Sequence, residues 1–239
     1  MRNITISDET TLSNQMKEVY RMLRTNIEFT GVENKAIAIT SCTPDDGKST
    51  VVYNLAKAFA ENGKKTLIVD ADLRKSVMLK RLHVNGEMKG LTHYLSGKEN
   101  IREVLCSTNI HNLFLVSTGI FPSNPTELLN HERFAAMIPV LKQVFDYILF
   151  DTPPLINVID AAVIAKYCDA SMLVVAADTT SRIEVKRVTD QLKAANSNLL
   201  GVVLNKVDVK RGSYYGKQFG YGYGYGYYGG DKGKTKKDA

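Results

Sequence analysis

Cysteine is scarce: Cys42, Cys106 and Cys168 are spread through 239 residues. They form neither the even-numbered framework of a disulfide-stapled secreted domain nor a C-x-x-C metal pair, so a reducing cytoplasm is expected. No apolar run approaches the roughly 20 residues needed to cross a bilayer, and the opening MRNITISDET lacks the apolar core of a signal peptide. Any membrane attachment is therefore expected to run through a partner, leaving the chain peripheral to the inner face of the membrane. The body also has little net charge. Of the formal +6, residues 210–239 carry +5, from Lys210, Arg211, Lys217, Lys232, Lys234, Lys236 and Lys237 against Asp231 and Asp238, leaving +1 for the rest. The high overall pI of about 9.1 thus gives the folded part no basic footprint, and no nucleic-acid partner is expected.

What is present reads as an α/β protein. With 44% hydrophobic residues the chain can bury a sizeable core, and one domain over 1–209 followed by a flexible, basic, Tyr/Gly-rich tail over 210–239 is expected. Short β-branched runs at 36–40, 66–70, 113–116, 147–151, 171–176 and 199–204 are apolar without alternation, as in strands buried on both faces. They alternate with helical stretches at 48–61, 126–144, 159–166 and 182–195, the pattern of a mostly parallel sheet flanked by helices. The stretch 77–110 is expected to hold short helices and a loop. Ahead of the first run, Met16, Val19, Met22, Leu23 and Ile27 fall at helical spacing and predict an amphipathic helix. Its other side carries Glu18, Arg21 and Arg24, which on spacing alone is an ordinary solvated face.

The first run enters SCTPDDGKST, residues 41–50, and then a helix. This is the context of a phosphate-binding loop, in which backbone N–H groups and a helix N-terminus face the phosphates. Asp46, Gly47, Lys48, Ser49 and Thr50 form its nucleotide-binding end, with Lys48 as a point charge and Ser49 as a hydroxyl for magnesium. Cys42 stands where the loop's first glycine usually is. Asp70 and Asp72 follow the second run directly, where α/β sheets place ligands, and two carboxylates so close repel unless a cation such as Mg2+ lies between them. The run YILFD ends in Asp151, an acid of the Walker B form that holds magnesium directly or through water. Three acids and Ser49 are thus expected at one corner. In VVLNKVD, Asn205 offers an amide to a purine edge; Lys206 and Asp208 complete an NKxD run too short to name guanine.

The tail raises its own question. YYGKQFGYGYGYGYYGG, residues 214–230, displays Tyr214, Tyr215, Tyr221, Tyr223, Tyr225, Tyr227 and Tyr228 among glycines that resist ordering. Taken together, the E-x-x-R-x-x-R helix (Glu18, Arg21, Arg24), the loop PDDGKST, the D-x-D-x-R element (Asp70, Asp72, Arg74), the D-x-x-P element (Asp151, Pro154) and this cluster resemble the bacterial tyrosine kinases of capsular and exopolysaccharide synthesis. The resemblance covers nearly the whole chain. It implies a P-loop NTPase fold related to partition and septum-site ATPases, with ATP-dependent phosphorylation of tail tyrosines in trans between subunits. By the same resemblance Lys48 binds the β- and γ-phosphates, Ser49 and Asp151 organise Mg2+, and Asp70 and Asp72 assist the metal and accept the tyrosine proton, Asp70 being preferred as base. It also turns Glu18, Arg21 and Arg24 into an oligomerisation surface for a ring. The partners it implies are a membrane activator of the polysaccharide chain-length modulator type, since no span lies in the chain, and a cognate phosphotyrosine phosphatase.

One departure stands out. The family loop reads Pro-Gly-x-Gly-Lys, whereas here Asp45 follows Pro44. Aspartate tolerates the left-handed backbone that glycine adopts freely, but its charge must turn outward to spare the triphosphate. Two rival readings are a switch ATPase of the partition type and a catalytically idle adaptor of the polysaccharide machinery. Thr43, where the switch ATPases usually carry a lysine, speaks against the first, and the intact set Lys48, Asp70, Asp72 and Asp151 against the second.

Overall fold

A computed structural model describes residues 2–7, 12–84, 86, 88–195 and 197–208. The chain divides into two units, Met1–Lys206 and Val207–Ala239, and the first carries the fold. The seven tyrosines from Tyr214 to Tyr228 lie outside the described residues.

Among the described residues eight strands form one sheet. In chain order they are β1 (Arg2–Ile4), β2 (Ala36–Ser41), β3 (Thr66–Asp70), β4 (Leu105–Thr108), β5 (Leu113–Val116), β6 (Tyr147–Asp151), β7 (Ala170–Ala176) and β8 (Leu199–Asn205). Their spatial order is β1-β4-β5-β3-β6-β2-β7-β8, and every pairing is parallel except β4 with β5. Every residue of β2, β3, β6 and β7 is buried. These strands run through the middle of the sheet, which is why their sequences show no polar alternation.

Helices cover both faces. On one lie α1 (Asn14–Glu28) and α2 (Lys48–Glu61), where Val52, Leu55 and Phe59 of α2 meet Ile37, Ile39, Ile68 and Leu149 of the strands. The other face packs Leu67, Val69, Phe150 and Leu173 against α4 (Leu91–Leu95), α6 (Pro125–Asn130), α7 (Glu132–Lys142), α8 (Asp160–Ala165) and α9 (Arg182–Ala194). Neighbouring strand residues such as Leu67 and Ile68 thus serve opposite layers, as the strand period of two requires. Two short helices, α3 (Met78–Arg81) and α5 (Ile101–Val104), complete the stretch 77–110.

Three features depart from the sequence expectation. The stretch 126–144 is two helices, because His131 takes an extended conformation that ends α6, and its side chain accepts the Arg133 N–H to start α7. β1 and β4 join the sheet edge, although RNI and LCST carry no strand-like apolar run. In α1 the side facing α2 uses Tyr20 and Ile27 with Leu23 half buried, while Met16, Val19 and Met22 stay 40%, 48% and 46% exposed. The apolar residues of α1 therefore make two stripes, and packing on α2 covers only one.

Candidate active site

β2 and β3 flank β6, so the carboxyl ends of these three strands open side by side. The chain leaves β2 at Ser41, makes the loop 42–47 and enters α2 at Lys48. Gly47 has φ +89°, and a Cβ there would stand 2.1 Å from Nδ2 of Asn205, so any other residue would be strained here and would displace the Asn205 amide. Asp45 also takes a left-handed backbone, φ 64°, and is exposed, but it lines the cleft with Asp46 and Lys48, so its charge is not turned away from the site. Asp46 is buried and engaged within the loop. Its carboxylate accepts the Thr43 N–H at 2.9 Å and the hydroxyls of Thr43 and Thr180 at 3.0 and 3.3 Å. Asn205, at the end of β8, donates its amide to the Asp46 carbonyl at 2.9 Å. The residue expected at a purine edge thus supports the backbone of the phosphate loop. Cys42 is buried beneath the loop, its thiol pushed up to about 12 by burial and then by Asp46, which leaves it inert.

The acids come from the two neighbouring strands. Asp70 and Asp151 are cross-strand partners in the β3–β6 ladder, and both are buried. The Asp151 carboxylate meets Lys48 Nζ at 2.5 Å, and the same ammonium lies 3.3 Å from Ser49 Oγ. Asp70 accepts a hydrogen bond from Ser76 on Oδ2, while its Oδ1 is buried without a partner. Burial, and next the charge of Asp151, push the Asp70 carboxyl up to about 7, against the pull of Ser76, Thr118 and Lys48. Asp72 is held differently. Its Oδ1 accepts the backbone N–H groups of Arg74 and Lys75 at 3.2 and 3.0 Å, and, though itself buried, it lines the cleft. The structure therefore brings Asp70, Asp151, Lys48 and Ser49 together and keeps Asp72 on its own turn. Among the described residues no three His, Cys, Asp or Glu side chains cluster as a preformed metal cage. Asp72 nevertheless lines the same cleft as Lys48 and Ser49, with only its Oδ1 engaged by the backbone of its own turn.

A cleft of about 240 Å³ lies between the phosphate loop, the turn Asp72–Val77 and the exit Pro153–Val158. Lys48, Arg74, Lys75 and Arg81 line it, a set of cations suited to a triphosphate. Sequence reasoning missed Lys75 and Arg81 as lining residues; Lys75 sits beside the D-x-D-x-R element, but Arg81 has no local signal. Thr50 sits half buried in the first turn of α2, where its carbonyl accepts the Asn54 amide at 2.9 Å. A larger, open depression of about 720 Å³ lies around Tyr94, Arg102 and Glu132 and is lined by none of the cleft residues. It groups no buried ionisable side chains, so the smaller cleft is the candidate site.

The AAA domain family matches residues 34–202, which spans the phosphate loop, both acidic strand ends and β7. The tyrosine-protein kinase CpsD of Streptococcus agalactiae is 44% identical over 207 residues, covering 84% of this chain and 90% of that protein. This chain belongs to the bacterial tyrosine-protein kinase family. The solved chimeric protein CapA2B2 is 32% identical with a TM-score of 0.77, covering 87% of this chain and 94% of that one. The septum site-determining protein MinD of Pyrococcus horikoshii, solved with Mg-ADP, is 26% identical with a TM-score of 0.62 over 71% of this chain and 69% of its own. The sheet is thus that of a P-loop ATPase.

The surface expected to oligomerise sits apart from the cleft. Glu18 and Arg21 pair on the exposed side of α1, whereas Arg24 turns inward, donating to the Ala58 carbonyl of α2 at 3.3 Å and facing Glu28 at 3.7 Å. Among the described residues no helix is long and apolar enough to cross a membrane.

Proposed function

We propose that this protein is an ATP-dependent tyrosine kinase that phosphorylates the C-terminal cluster, Tyr214 to Tyr228, of a neighbouring copy, and thereby regulates capsular or exopolysaccharide synthesis. The observation that carries the reading is the 44% identity to a tyrosine-protein kinase across 84% of the chain. The site supports it: Lys48 for the β- and γ-phosphates, the turn at Gly47 for close backbone approach, and Asp70, beside Asp151 at the strand ends, as the preferred proton acceptor. A phenol with a pKa of about 10 is barely ionised at neutral pH, so a positioned carboxylate has a role as proton acceptor. Magnesium fits the donors here, because the buried Oδ1 of Asp70 has no other partner and lies on the strand beside Asp151. Ser49, Asp151, Asp70 and Asp72 would hold it, and when bound it would neutralise charge on the phosphates.

Tethering supports the choice of acceptor. A tail on an adjacent copy is presented at an effective concentration in roughly the mM range, so weak recognition of tyrosine is enough. Assembly through α1 is favoured by the exposed stripe Met16, Val19, Met22 beside Glu18 and Arg21, with Arg24 bracing the helix on α2. A membrane activator and a cognate phosphatase complete the reading, with the chain peripheral to the inner face of the membrane. Intact-mass measurement with ATP and magnesium tests it, beside Lys48→Met and Lys48→Met/Asp151→Asn. Stepwise gain of phosphate by the unaltered protein alone is expected. ATP hydrolysis without any tyrosine phosphate would make the switch ATPase the better reading.

A further inference from the structure

Asp160 opens α8 and is fully buried, 86 residues from the arginine it binds. An acid in the first turn of a helix is ordinary. Here, however, both carboxylate oxygens are engaged by side chains of two other segments. Arg74 donates from Nε to Oδ2 at 2.6 Å and from Nη2 to Oδ1 at 3.1 Å, a two-pronged pair. Thr126 of α6 donates its hydroxyl to Oδ1 at 2.7 Å and accepts from Arg74 Nη2 at 2.9 Å. The backbone N–H groups of Arg74 and Lys75 in turn hold Oδ1 of Asp72. A continuous line of contacts therefore runs from α6 and α8, through Arg74, to an acid that lines the cleft. The planar guanidinium fork makes such a link directional.

We propose that Asp160, assisted by Thr126, is a positioning residue for phosphoryl transfer: by clamping Arg74 it fixes the Asp72–Lys75 turn against the nucleotide. Asp160 touches no reacting atom and acts only through Arg74. The turn it holds carries Asp72 and Lys75, both lining the cleft. Loosening it displaces them, and misplacement by about 1 Å is enough for losses on the order of 100-fold. The clamp is a statement about the turn; its catalytic consequence rests on the kinase reading.

The test uses the full chain as Asp160→Asn, Arg74→Met, the double variant and Thr126→Val, with hydrogen exchange and steady-state turnover of ATP and tail tyrosine. In Asp160→Asn the amides of Arg74 and Lys75 should exchange roughly tenfold faster while those of β3 and β6 keep their protection. The turnover number should fall about 10- to 100-fold with KM for ATP within about threefold. Adding Asp160→Asn to Arg74→Met should change turnover less than about twofold, because the two act as one unit. Thr126→Val spares the ion pair, so it reports in the same direction, at about threefold, even where Asp160→Asn does not fold. Unchanged turnover in a folded Asp160→Asn protein, losses that multiply in the double variant, or exchange accelerated throughout the sheet would each overturn the proposal. If the unaltered chain turns over ATP but forms no phosphotyrosine, the kinase reading falls while the clamp is still decided by exchange and hydrolysis.

Discussion

Lys48 and Asp151, far apart in sequence, form an ion pair of 2.5 Å in which both side chains are withdrawn from solvent. The pair ties the phosphate loop to the end of β6, so the two nucleotide motifs behave as one mechanical unit. Removing one partner of a buried pair leaves the other charge uncompensated, at a cost of about 3–5 kcal/mol. Lys48→Met is therefore expected to unfold at markedly lower urea, and Lys48→Met/Asp151→Asn to recover most of the loss. A double variant as unstable as the sum of its singles would refute this coupling.

The Asp70 carboxyl, raised to about 7, makes stability fall with pH. Because the folded state holds this proton more tightly than the unfolded chain, its contribution is full below the ordinary carboxylate range and is lost as pH rises towards 7. Asp70→Asn removes the titration. In chelator-treated protein it should gain on the unaltered chain between about pH 4 and about pH 8, by a few kcal/mol at most, as followed by denaturant unfolding. A stability difference that stays flat over that range would show that Asp70 is not held neutral by its surroundings.

The loop offers two opposite substitutions. Gly47→Ala meets both a left-handed φ of 89° and the Asn205 amide at 2.1 Å. Strain of about 1–2 kcal/mol from the backbone alone is expected as a loss of folding stability of that size, read by denaturant unfolding. Asp45→Gly, at φ 64° and exposed, should change stability by less than about 1 kcal/mol and tighten ATP binding by removing a negative charge. Weaker binding by Asp45→Gly would mean that the carboxylate contributes to the site.

Much of this architecture was legible in the sequence because burial on both faces leaves a continuous apolar signature. The runs at 66–70, 113–116 and 147–151 coincide with β3, β5 and β6, and the helix 48–61 with α2. β1 and β4 were not legible, since edge strands as short and mixed as RNI and LCST are specified by their neighbours. The break at His131 was missed for a related reason: a single capping side chain interrupts a periodicity that continues beyond it. In the site, Lys48, Asp70 and Asp151 announce themselves through strand-end motifs. Asp160 and Thr126 do not, because their roles arise from contacts spanning 86 and 52 residues to Arg74. The second apolar stripe of α1 could be read as a pattern, but which stripe faces α2 is decided only by packing.

The central claim, that this site phosphorylates the tail of another copy, is tested most directly by mixing two chains. One carries Lys48→Met/Asp151→Asn with its tail intact; the other has an intact site and its seven tail tyrosines, Tyr214 to Tyr228, changed to phenylalanine. After incubation with ATP and magnesium, peptide mass mapping should find phosphotyrosine in the tail of the site-inactivated chain, and only in the presence of the second. No tail phosphate on that chain, while the second chain hydrolyses ATP, would contradict the account.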